Sequence, residues 1–195
     1  MENNDGCMKT KILLFVMLLL LAANAGFAQS VDATQKRYAE ISEKARLCEA
    51  DDEQGEYGEL VMNALTINSR GHQWRAVGIY GQTYKFFYRG GNDEKHLYPD
   101  QLVFVVNDKN ISDRKYREEF LFSDAGALVY YFYTDDVLAP KPSEIKVWFS
   151  AGKAFRIEQD GRVRNRMTKA DVFSTNQRLA TAAKLMQFFK RSIEL

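Results

Sequence analysis

Between Glu59 and Arg166 the chain breaks into short runs of aromatic and β-branched residues separated by Gly, Asn, Asp and Pro. Such runs fit a pleated, half-buried surface and resist helical winding, so most of the chain must be antiparallel strand. The pattern predicts strands over 59–67, 74–80, 83–89, 101–107, 115–122, 127–134, 144–149 and 153–159. Two loops carry turn chemistry: Ser123-Asp-Ala-Gly126 between Phe120-Leu-Phe122 and Leu128-Val-Tyr-Tyr-Phe-Tyr133, and Ser150-Ala-Gly152 between Ile145-Lys-Val-Trp-Phe149 and Ala154-Phe-Arg-Ile157. Both read as hairpins. Their flanks are alike when Phe122 is set over Phe149, and Tyr80-Gly-Gln-Thr-Tyr84 reads as a shorter relative, so a meander of similar hairpins is expected.

Helical periodicity is confined to the two ends. Tyr38, Ile41, Ala45 and Cys48 recur at intervals of three and four behind an Asp32/Gln35 capping pair, which predicts a helix over 33–49. The acidic stretch Asp51–Glu56 follows it. Near the other end Leu179, Ala182, Met186, Phe189 and Ile193 form one stripe behind Ser174/Gln177, which predicts a helix over 175–193. The sheet is the one large surface such stripes can cover. The expected fold class is therefore α+β: an antiparallel β-meander sheet flanked by an N-terminal and a C-terminal α-helix, both on one sheet face.

Before the first helix, Lys9 and Lys11 precede the apolar run Ile12–Ala23, and small residues follow at Ala23, Ala25, Gly26 and Ala28. The order of charge, apolar run and small residues is that of a secretory signal peptide, and 12 apolar residues fall short of the roughly 20 that span a bilayer. Cleavage after Ala28 is expected, leaving residues 29–195 as a single α+β domain beginning at Gln29. Lacking a Cys directly after that site, the leader is not of the lipid-anchored kind. With Cys7 removed, Cys48 stands alone, so no intramolecular disulfide forms and stability must come from the core. The expected location is outside the cytoplasm, periplasmic or secreted.

Composition excludes several functions. The chain carries 27 Lys+Arg against 26 Asp+Glu, without the basic excess that nucleic-acid binding requires. Charge is unevenly spread: residues 29–140 hold 13 basic and 19 acidic side chains, and residues 141–195 hold 12 and 5. Arg162, Arg164, Arg166 and Lys169 are the densest group, readable as an attraction for anionic partners or as charges that protect a sheet edge. No HExxH, GxSxG, P-loop, dinucleotide fingerprint or paired CxxC occurs. His72 and His96 are too few for a histidine-rich metal site, and both read as surface residues. Ser-x-x-Lys occurs at Ser112/Lys115, Ser143/Lys146 and Ser150/Lys153, in strands and turns where the hydrolase motif needs a helix start. Asp108, Asn110, Ser112 and Glu119 imitate the oxygen spacing of a calcium loop, but Asp113 stands where the loop needs Gly, and the stretch reads as a polar turn. Asn110-Ile-Ser112 is also a glycosylation sequon. No catalytic residue, metal ligand or cofactor site is assigned.

What remains is the sheet. Leu128–Tyr133 is apolar on both faces, more than a simple solvated face needs. A second face rich in rings suits a non-enzymatic binding module, and Tyr131, Tyr133, Trp148 and Arg156 are its candidate ligand-binding residues, since rings give stacking area and a guanidinium gives directed donors. A register slip of one residue would present Tyr130 and Phe132 instead. The partners such a face admits are a glycan, a peptide, a lipid, an envelope protein or a second copy of the chain. Two alternatives stand beside this reading: an envelope hydrolase whose carboxylates meet only in the fold, and a periplasmic lipid or lipoprotein carrier with a cavity between sheet and helices.

The leader with Gln after Phe27-Ala28, together with Glu119-Phe-Leu-Phe-Ser-Asp-Ala-Gly126 and Tyr130-Tyr-Phe-Tyr133, is similar to small exported proteins of unknown function from Gram-negative anaerobes. The resemblance covers residues 9–30 and 116–158. It implies export and carries no catalytic residue across.

Overall fold

The computed structural model describes residues 31–50, 60–75, 78–91, 97–136 and 140–194. The leader, Gln29, the acidic stretch 51–56 and His96 lie outside the described residues. By compactness the chain divides between Arg37 and Tyr38. Of the first unit, residues 31–37 are described and are helical; the following concerns the unit Tyr38–Leu195.

The α+β expectation holds: an antiparallel sheet of nine strands is accompanied by helix α1 (31–50) and helix α2 (Lys169–Ile193). The strands are β1 (Val61–Ile67), β2 (Gln73–Trp74), β3 (Gly78–Gly90), β4 (Pro99–Ile111), β5 (Arg114–Phe122), β6 (Leu128–Asp135), β7 (Ser143–Ser150), β8 (Lys153–Gln159) and β9 (Arg162–Arg164). They lie in the order β1-β3-β4-β5-β6-β7-β8-β9, with β2 beside β3, so the sheet is a meander.

Strand β4 runs past the expected 101–107 at both ends and β1 starts at Val61; three differences from the sequence reading are larger. The runs 74–80 and 83–89 are not a hairpin: residues 78–90 form one strand, and Gly81 sits in mid-strand opposite Asn110. A glycine there weakens the strand, but β4 supplies ladder partners along nearly its whole length, and satisfying those backbone groups outweighs the local preference. Strand β9 was not expected. Asp160 and Gly161 both take positive φ, 51° and 79°, and join Gln159 to Arg162 in a two-residue turn, the use to which Asp-Gly is best suited. Helix α2 starts six residues earlier than the Ser174/Gln177 spacing suggests. Thr168 accepts from the Asp171 amide while Asp171 accepts from the Thr168 amide, a capping box built on Asp. Ser174 instead bonds back to the Asp171 carbonyl inside the helix.

The two expected hairpins are both present but turn differently. Ala151 and Gly152 have φ of 48° and 72° in a two-residue loop, whereas Ser123 closes a longer loop on Ala127 through its amide and hydroxyl. What they share lies beside the turn. Register shifts at Leu121/Phe122 and Trp148/Phe149 leave Val129 and Phe155 as extra residues on the returning strand, and Phe87/Tyr88 does the same with Val103. Three bulges at one level of alternate strands add local twist to the sheet.

The helices do not share a face. On one side Phe86, Val105, Phe120, Tyr131, Val147 and Ile157 pack with Ala182, Leu185 and Phe189 of α2. On the other, Tyr38 of α1 meets Tyr130 at 4.7 Å, Phe104 at 6.1 Å and Phe132 at 6.5 Å between ring centroids. Pleating explains the division: Phe104 and Val105, or Tyr130 and Tyr131, are sequence neighbours and point oppositely. Ile41 and Ala45, on the same stripe as Tyr38, are 3% and 2% exposed. The expectation of two helices on one face is thus corrected. Each face of the strand centres is apolar, and each requires its own cover.

Two outcomes follow from this packing. Phe189→Ala, which empties a site with 0% exposure, should cost about 3–5 kcal/mol in chemical denaturation. Hydrogen bonds from the Thr168 backbone, then the Thr168 side chain and Arg164, hold the Asp171 carboxyl below its ordinary value. A depressed carboxyl stabilises the native state above its unfolded pKa. Asp171→Asn should therefore destabilise at neutral pH, with the deficit shrinking as acid denaturation enters and passes below the usual carboxylate range.

Candidate functional site

The four ring and guanidinium residues singled out from sequence are divided between the two faces. Tyr131 and Tyr133 lie on the α2 side; Trp148 pairs with Tyr130 and Arg156 on the α1 side. Tyr131 is 2% exposed and Trp148 0%, so each is core. The Arg156 guanidinium lies 5.3 Å from the Trp148 ring centroid, and the indole N–H finds no hydrogen-bond partner among the described residues. Tyr130 and Phe132, the alternative register, lie beneath Tyr38. The face they would offer a ligand or a second copy carries α1.

A polar network on this α1 side fastens the helix to the strands. The Tyr38 hydroxyl donates to Glu119 at 2.5 Å, and Arg117 Nε donates to the same carboxylate at 2.6 Å. Lys85 joins Glu49 at 2.7 Å and Asp108 at 3.4 Å, and Asp108 also meets Arg117. Glu119 is 5% exposed, and its charge is held by these two donors. Burial first, then the Glu119 charge, pushes the Tyr38 phenol far above its ordinary value. It is a neutral donor at any working pH. Residues of the supposed calcium loop are used here instead: Asp108 in β4 and Glu119 in β5 are both engaged by cations. Among the described residues no three His, Cys, Asp or Glu side chains are grouped to hold a metal.

The α2 side differs away from the helix. Along β3, Tyr80, Gln82 and Tyr84 point to the same face as Phe86 and Tyr88, and Trp74 of β2 stacks on Tyr80 at 4.6 Å. Tyr80 donates to Gln82 Oε1 at 2.5 Å; Gln82 Nε2 donates to Tyr84 Oη at 2.6 Å and to Asn107 Oδ1 at 2.9 Å. Asn107 in turn donates to Glu118 at 2.7 Å, and Tyr131 donates to the other oxygen of Glu118 at 2.8 Å. Arg178 of α2 closes the chain over the Tyr131 ring at 4.8 Å. Further rings stand beside it: Tyr133 on β6, and Tyr116 on β5 with Lys109 at 5.8 Å from its centroid. Tyr80, Gln82, Tyr84, Tyr116 and Tyr133 are half-buried, and Trp74 is 45% exposed.

Desolvation raises the Tyr84 and Tyr133 phenols, with nearby carboxylates adding to it, and Tyr131 is driven higher by burial and Glu118. Raised phenols are poor bases and poor nucleophiles at neutral pH. The surface is therefore equipped for stacking and hydrogen bonding. Sequence reasoning found Tyr131 and Tyr133 but missed Trp74, Tyr80, Gln82 and Tyr84. The signal was present as Tyr80, Gln82, Tyr84 and Phe86 alternating with Gly81, Thr83 and Lys85, and assigning Gly81 to a turn concealed it.

No family model, curated protein or solved structure matches the chain. No helix among the described residues is long and apolar enough to cross a membrane.

The α1-side network makes its own prediction. Tyr38→Phe removes one donor from a buried carboxylate while keeping the ring, and should cost about 1–3 kcal/mol in urea unfolding. Tyr130→Phe, whose hydroxyl makes no described hydrogen bond to Glu119, should cost less.

Proposed function

We propose that this chain is an exported, non-enzymatic binding module that takes a glycan on the ring and amide surface of β2, β3, β5 and β6. The observation that carries the reading is the row Trp74, Tyr80, Gln82, Tyr84, in which one side-chain amide bonds with both flanking phenols. A sugar ring has an apolar face and an equatorial rim of hydroxyls. Half-buried rings receive the first at little entropic cost, because their rotamers are already fixed, and Lys109 offers donors and the Glu118 carboxylate an acceptor to the second.

The hydrolase reading needs two carboxylates facing one cleft, and the neighbouring pair Glu118 and Glu119 does not supply them. Glu118 and Glu119 are turned to opposite faces by the pleat, one bonded to Asn107 and Tyr131 and the other to Tyr38 and Arg117. The carrier reading needs a hollow between sheet and helix, where Phe86, Tyr88 and Phe189 instead meet ring to ring. Export rests on the leader sequence, and the place of action is periplasmic or secreted.

Trp74 is the natural probe, because the only other tryptophan, Trp148, is fully buried. Titration with neutral and acidic oligosaccharides should shift Trp74 emission, and Trp74→Phe should abolish the shift while leaving the melting temperature unchanged. Tyr80→Ala and Gln82→Ala should each weaken binding by about three- to tenfold, the worth of one stacking or hydrogen-bonding contact. A full panel without response would remove the proposal, as would a response that persists in Trp74→Phe. For export, expression of the complete chain in a Gram-negative host should yield a product that begins at Gln29 by intact-mass measurement. Retention of the leader on a cytoplasmic product would refute it.

A further inference from the structure

The two edges of the sheet are finished differently. Strand β9 is three residues long and carries Arg162 and Arg164, the short charged form that keeps an edge from recruiting another strand. Strand β1 is seven residues, Val61-Met-Asn-Ala-Leu-Thr-Ile67, with no charge and no proline. It pairs with β3 on one side, and no described strand lies on the other. Alternate residues of an antiparallel edge direct N–H and C=O outward, so this edge offers a ladder that only an extended chain can complete.

Beside the ladder is a place for side chains. Val61, Asn63 and Leu65 share the α2 face of β1, and Val61 and Leu65 are 43% and 36% exposed. Phe188 of α2, 43% exposed, stacks on Phe86 at 5.5 Å. Between them lies a groove of about 340 Å³ with Asn63, Leu65, Phe86, Phe188 and Ser192 in its walls. An added strand that places every second residue on this face would set apolar side chains there.

Charge chooses the occupant. Lys184 and Arg191, one turn either side of Phe188 on the same helix face, are exposed and give the groove a basic helix rim. A second copy paired edge to edge around a two-fold axis normal to the sheet would set both α2 helices on one side, with Lys184 and Arg191 facing their equivalents. Like charges across an interface disfavour that pairing. We propose that the β1 edge accepts an extended peptide segment of another protein, apolar at alternate positions and acidic at its ends, as an added antiparallel strand. This surface adjoins the ring and amide row, since Leu65 pairs with Tyr84 and Tyr84 stacks on Phe86, but it is used through the backbone edge of β1 and the rim of α2.

The test uses the full-length chain and two fluorescein-labelled capped peptides with an alternating Val-Thr core, one flanked by glutamates and one by lysines. In fluorescence anisotropy the glutamate peptide should bind saturably and more tightly than the lysine peptide. Leu65→Lys should weaken it by about tenfold or more. The pair Lys184→Glu and Arg191→Glu, both at exposed positions, should invert the preference between peptides, an effect that misfolding cannot imitate. Absence of saturation up to about 1 mM glutamate peptide overturns the proposal. So does an unchanged preference in the charge-reversed variant. Sedimentation showing a dimer that Leu65→Lys dissolves would assign the edge to a second copy and equally overturn it.

Discussion

Between its two covers the sheet is apolar on both sides at the same level. Phe86 and Phe87, Phe104 and Val105, Phe120 and Leu121, Tyr130 and Tyr131, and Val147 and Trp148 are neighbours in sequence, all 2% exposed or less. A pleated strand sends neighbours to opposite faces, so burying both members of every pair requires two layers, one on each side. The rest of the molecule answers that demand. Helix α2 brings Ala182, Leu185 and Phe189 to one face, and the stripe Tyr38, Ile41 and Ala45 occupies the other. The rings that suggested a ligand surface are largely the material of these two cores.

The covers are held by different physics. On the α2 side contact is mainly apolar, and the start of the helix is fixed by its Thr168 and Asp171 cap. On the α1 side the stripe is shorter, and buried charge supplements it: Glu119 is held by Tyr38 and Arg117, and Lys85 links Glu49 to Asp108. Such a network is favourable only while every member is satisfied, since a carboxylate left alone at this depth carries its whole desolvation cost. The bulges opposite Phe87/Tyr88, Leu121/Phe122 and Trp148/Phe149 belong to the same scheme. They twist the strands at one level of the sheet, beside the turns, without breaking the meander.

The two surfaces proposed for binding lie at the margins that these covers do not reach. The lower part of β3 leaves the α2 side with Tyr80 and Tyr84 joined through Gln82 between them, and the outer edge of β1, beside Phe188, has no partner strand among the described residues. Both are consequences of a helix of finite length lying on a wider sheet. Of the patch expected from sequence only Tyr133 borders the first of these margins in the open, because Tyr131 and Trp148 reside on strands near the middle, where both faces are closed.

The sequence by itself determined the element types, the meander order and the stripe Leu179, Ala182, Met186, Phe189, Ile193, because periodicities of 2 and 3.6 are local properties that neighbouring residues report directly. It also contained the Asp160-Gly161 turn and the row from Tyr80 to Tyr88, legible in hindsight once Gly81 is seen as extended. Only the tertiary structure decided that the two helices take opposite faces, that Tyr131 and Trp148 point apart, and that Asn107, Glu118 and Gln82 join across three strands. Those outcomes depend on pairing register and on which element arrives above each strand, and no window of sequence holds that information, since a shift of one residue exchanges every side chain between the faces.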